Sequence, residues 1–158
     1  MFVVKVGMSQ RLRIVAGVVA VAAAAVLAAS GCGDDTASYR DGAQKAADEF
    51  RKSAAAATAM LRRGDSLQDK AAGVRSFKAS VDKLAADYEE LDPPDDLKDL
   101  NDEAGQKMRA LSADLDRYGQ AARDGDEKVA QELGPKLQAD QAELQNTLDR
   151  LDKAVSAD

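Results

Sequence analysis

The chain has no histidine and no tryptophan, and its 158 residues include one cysteine, three prolines and only 4% aromatic side chains. Each shortage removes a class of chemistry. Without histidine there is no histidine-dependent nucleophile triad, no inward Glu-x-x-His pair of the kind di-metal helical bundles use, and no histidine-bearing zinc site. A single cysteine forms no internal disulfide, so a domain of this sequence must hold together without one. β-Branched residues are scarce after position 32 and few prolines interrupt the pattern, so little favours strands. What is present in quantity is alanine, with Leu, Lys, Arg, Gln and Asp, mostly strong helix formers, and the composition reads as all-α. The length suits one domain. Acidic residues number 28 against 22 basic, a net charge of −6, which disfavours nucleic acid and anionic headgroups as partners.

Charge is absent from one other place. Lys5, Arg11 and Arg13 are the only charges before Asp34, and Ile14 to Ala29 is unbroken apolar sequence. At a helical rise this run spans about 24 Å, short of a bilayer core of about 30 Å, so a cleavable leader fits better than a membrane-spanning helix. The run closes on Leu27-Ala28-Ala29-Ser30-Gly31-Cys32, which holds the lone cysteine directly after small residues. Basic start, short apolar middle and small residues at the cut are the parts of a secretory signal peptide. Met8-Ser9-Gln10-Arg11-Leu12-Arg13 would by itself make a conventional basic opening, which points to a start at Met8. Residues 8 to 32 resemble the signal peptide and lipobox of bacterial lipoproteins, with Ala29 where that family usually has Leu. The Ala- and Arg-rich balance is similar to that of actinobacterial proteins. The resemblance implies a signal peptide over residues 1–31, cleavage between Gly31 and Cys32, lipidation of Cys32, and export to the outer face of the cell membrane with acyl chains as the membrane contact. One acyl chain binds a membrane only marginally, so several are expected.

Residues 32–38 then read as the lipidated cysteine with a short polar tether, and residues 39–158 as a helical domain. A first helix is expected from Tyr39 to Arg63, with Tyr39, Ala43, Ala46, Ala47, Phe50, Ala54, Ala57 and Leu61 on its inward stripe. Gly64 should end it, and Asp65 or Ser66 should cap the next helix. The second, Leu67 to Leu91, repeats Leu67, Val74, Val81 and Tyr88 every seven residues, with Phe77, Leu84 and Leu91 offset, a coiled-coil-like seam. Asp92 ahead of Pro93-Pro94 predicts the N-cap of a third helix reaching Arg123. Asp124-Gly125-Asp126 separates a fourth helix, whose apolar phase continues across Gly134-Pro135 and so predicts a kink rather than a loop. Four helices with short connections give an antiparallel up-down-up-down four-helix bundle. The alternative is a three-helix bundle with the alanine-rich first helix loosely docked.

No catalytic or metal motif is found, and no cofactor is expected. Asp114-x-Asp116-x-Tyr118-Gly119 superficially resembles a calcium loop, but Gly125 stands where a bidentate Glu is required, and a solvated helix face is the better reading. Lys70, Asn101, Lys107 and Gln141 interrupt the seams and are expected at bundle ends or edges, where long side chains reach solvent, with a buried Asn101 that fixes helix register as the alternative. Phe50, Phe77, Tyr88, Met108 and Tyr118 could line a cavity between helices, though core packing is the more ordinary role for such residues. The sequence thus points to a non-enzymatic, lipid-anchored interaction or structural module of the cell envelope with a protein partner. The alternative is a bundle that binds a small apolar or cationic molecule.

Overall fold

In the computed structural model, which describes residues 34–156, four helices account for nearly all of the described residues. They are α1 (Asp34–Arg63), α2 (Leu67–Glu89), α3 (Lys98–Asp124) and α4 (Glu127–Ser156). Partner residues run in opposite directions along each consecutive pair. Leu61 meets Gly73 and Glu49 meets Lys83 on α1 and α2. Asp82 meets Ser112 and Glu89 meets Arg109 on α2 and α3. Glu103 meets Arg150, Lys107 meets Glu143 and Asp114 meets Lys136 on α3 and α4. The topology is therefore up-down-up-down.

The inward stripes carry the core. Val74, Phe77, Val81, Leu84 and Tyr88 of the heptad seam are buried, with Leu67 and Leu91 half-buried at its two ends. Ala104, Met108, Leu111, Leu115, Tyr118 and Ala122 face them from α3, and Leu133, Leu137, Leu144, Leu151 and Val155 from α4. α1 is docked, not loose: Tyr39, Ala46, Phe50, Ala54 and Ala57 are all buried. Small side chains on one helix let the neighbouring backbone come close. An added Cβ on Gly73 would lie 2.9 Å from the Leu61 backbone nitrogen and 2.8 Å from its Cγ.

The helix ends show which local signals decide. Ser66 caps α2 with a capping box: its hydroxyl accepts from the Asp69 backbone N–H at 3.1 Å, and the Asp69 carboxylate accepts from the Ser66 backbone N–H at 3.0 Å. Gly125 ends α3 in the left-handed region at φ 72, and Asp126 caps α4 by accepting from the Val129 N–H at 3.1 Å. Gly64 follows α1 without a positive φ. Its role is room, since a Cβ there would meet the Lys70 backbone nitrogen at 3.0 Å.

Three expectations are corrected. α1 starts at Asp34, so residues 34–38 are helical where a tether was expected. Asp92 does not cap α3, which begins at Lys98 behind Leu97. The second of two consecutive prolines disfavours the helical region for the first, so Pro93 cannot open a helix ahead of Pro94. The chain turns instead, with the Leu97 N–H donating to the Pro94 carbonyl at 2.9 Å and the Leu97 side chain plugged into the core. Finally, α2 stops at Glu89, two residues before Leu91. α4 continues unbroken through Pro135. The carbonyl deprived of its partner belongs to Gln131, on the exposed side, where water can satisfy it.

Candidate functional site

Gly31 and Cys32, with the whole of the expected leader, lie outside the described residues. The remaining candidates fall inside. Phe50, Phe77, Met108 and Tyr118 belong to the core cluster, with Met108 fully buried. The Phe50 and Phe77 rings pack against each other at 6.1 Å between centroids, tilted by 54°, which joins α1 to α2. These four side chains fill space instead of enclosing it. Tyr88 borders an open cleft.

That cleft, of about 320 Å³, lies where α2 ends and α3 begins. Tyr88, Leu91, Pro93 and Gly105 form its apolar part, and Glu89, Lys98, Asn101, Asp102 and Arg109 its polar part. The cleft lies at the Pro93-Pro94 turn, which sets the start of α3 back to Lys98. Arg109 pairs with Glu89 across the helices, and Lys98 pairs with Asp95 at 2.6 Å. At the floor, the Tyr39 hydroxyl donates to Asn101 Oδ1 at 2.9 Å, a buried bond between α1 and α3. Asn101 was expected at an edge. It is 7% exposed and belongs to the interior. Burial, with the Asp152 carboxylate nearby, pushes the Tyr88 phenol up to about 12. Burial, with Tyr88 as neighbour, raises the Tyr39 phenol further still.

A second polar group sits on the α3–α4 seam. Asp114 is 5% exposed, so it is no part of a solvated face. Lys136 donates to it, and also to Asp140 at 3.0 Å. Arg117 lies 3.5 Å from the Asp114 carboxylate. Burial pushes the Asp114 carboxyl up, but Lys136 and Arg117 outweigh it and hold it below the usual aspartate range. Asp140 moves the other way, raised by burial and by the like-charged Asp114 beside it. Further along the seam, Lys107 pairs with Glu143, and Glu103 accepts from Thr147 and Arg150, both at 3.1 Å. Of the seam-interrupting residues, Lys107 and Gln141 are half-buried, and Lys70 is buried beside Gly64.

Among the described residues no three His, Cys, Asp or Glu side chains are grouped to hold a metal ion. No described helix is long and apolar enough to cross a membrane. No protein-family model, no curated protein and no solved structure matches the chain.

Proposed function

We propose that this chain is a bacterial lipoprotein, trimmed before Cys32, acylated there, and working as a non-enzymatic contact module on the outer face of the cell membrane. The observation that carries the reading is the placement of the only thiol in the sequence directly behind a basic, apolar, small-residue leader. Two features of the bundle support it. α1 begins at Asp34, so a lipid on Cys32 sits at most about 7 Å of chain from the first helical residue. The start of α1 is also fastened, since Arg40 donates to the Val155 carbonyl of α4 at 2.6 Å and Tyr39 to Asn101 of α3. A lipid there would hold the end of the bundle that carries the α2–α3 turn toward the membrane and present the α1–α2 and α3–α4 turns outward.

The test is Cys32→Ala expressed in a bacterial host. The wild type should partition into the detergent phase and carry the mass of several acyl chains, and the variant should move to the aqueous phase. Unchanged partitioning, or a mature wild type with a bare sulfhydryl, overturns the reading. Crosslinking and pull-down of the acylated protein then identifies the contact partner.

A further inference from the structure

The cleft at the α2–α3 turn contains two polar side chains that the fold does not use up. Tyr88 is 5% exposed and Asn101 7%, so both are more than nine-tenths buried. The Tyr88 hydroxyl makes no hydrogen bond among the described residues. Asn101 spends its carbonyl on Tyr39, and its amide nitrogen makes none. Neither atom is sealed from solvent, and both side chains border the cleft. Two residues lining the cleft therefore carry donors without a partner among the described residues. Water can reach both, and a ligand with an acceptor in the right place can take over that water's hydrogen bonds.

The rim adds charge of one sign. Arg109 is neutralised by Glu89, and Lys98 by Asp95. Asp102 has no ion-pair partner among the described residues, and it stands on the first turns of α3 beside Asn101. Gly105, one turn further on, also lines the cleft. Donors within and one unpaired carboxylate at the mouth match a ligand with an acceptor at one end and a cation at the other. A volume of about 320 Å³ is at the small end of ligand sites, which run from about 300 to 1,000 Å³.

We propose that this cleft binds a small primary ammonium compound carrying a hydrogen-bond acceptor, of the size of an amino-acid amide or the free amino end of a peptide. The ammonium pairs with Asp102. The acceptor, a carbonyl two bonds away, takes hydrogen bonds from the Asn101 amide and the Tyr88 hydroxyl. Leu91 and Pro93 cover the apolar part of the ligand.

The test is titration of the ¹⁵N-labelled full chain in mild detergent with three probes: alaninamide, N-acetylalaninamide and propylammonium. Alaninamide should give saturable shifts at the Asn101 side-chain amide and the Gly105 N–H. The acetylated probe lacks the cation and propylammonium lacks the acceptor, so neither should saturate. Asp102→Asn, at an exposed position, and Tyr88→Phe, which keeps the ring in the core, should each weaken alaninamide binding about tenfold. No saturable shift with alaninamide, equal shifts with all three probes, or undiminished binding by Asp102→Asn overturns the proposal.

Discussion

The first and last seams of the bundle are built on opposite principles. Between α1 and α2 the contact is short and made of small groups: Gly73 lies under Leu61, the inward stripe of α1 is largely alanine, and one aromatic pair spans the gap. Between α3 and α4 the interior is leucine, and the edge is a row of charges from Glu103–Arg150 through Lys107–Glu143 to Asp114–Lys136–Asp140. The first seam depends on volume, because a close-packed interface cannot absorb extra atoms. The second depends on charge state, because its edge is open to water, salt and protons. Substitutions should therefore divide by seam, with steric changes severe in one and electrostatic changes graded in the other.

The largest effect is expected from Gly73→Ala. Replacing a mid-helix glycine by alanine ordinarily stabilises by about 1 kcal/mol. Here the new methyl meets backbone at 2.9 Å, and overpacking should reverse the sign to a net loss of about 1–3 kcal/mol. Urea unfolding at constant slope measures it, and a stabilised variant would mean that the α1–α2 seam is looser than described. Gly105→Ala is the control, since its Cβ meets only ordinary contacts and should gain about 0.5–1 kcal/mol.

Next in size is Asp114→Asn on the other seam, with a loss of about 1–2 kcal/mol at pH 7. Its pH dependence has a fixed sign. A carboxyl held below its unfolded value stabilises the fold above the ordinary aspartate range, and that contribution disappears as pH falls through the lowered folded value. The gap between wild type and Asp114→Asn should thus be widest near neutrality and close in acid. Asp140, raised by burial and by Asp114, works oppositely and gains stability on protonation. A gap independent of pH would remove the charge from the explanation.

The smallest effect is expected from Lys107→Ala. Glu143 is 58% exposed and Lys107 34%, so their attraction is largely screened. The shift in urea midpoint should be smaller than that of Asp114→Asn and vanish in 1 M salt. An effect that survives salt would place packing of the Lys107 stem, and not its charge, at the seam.

Much of this architecture was legible along the chain. The heptad of Leu67, Val74, Val81 and Tyr88 marked a buried seam because helix periodicity converts spacing directly into a face. Asp65-Ser66, and Gly125 with Asp126, marked helix ends because caps are settled within a few residues, and the structure chose Ser66 of the first pair. Asp92 misled because two signals competed, an N-cap residue and a proline pair, and the steric rule of the pair prevailed. Asn101 and Asp114 looked like edge residues because polarity ordinarily tracks exposure. Their partners, Tyr39 and Lys136, come from other helices, and no local pattern announces them. The signal that could have located the cleft was the proline pair itself, since Pro93 lines it and the pair delays the next helix to Lys98.

Sequence alone determined four helices and their apolar faces, since propensity, periodicity and capping act over one or two turns of chain. Tertiary structure alone decided the rest. Which glycine lies beneath which leucine, which carboxylate is buried against which ammonium, and which donors are left facing a cleft all depend on atoms distant in sequence. Close packing and electrostatics fall off within a few ångströms, so those contacts exist only once the helices have been brought together.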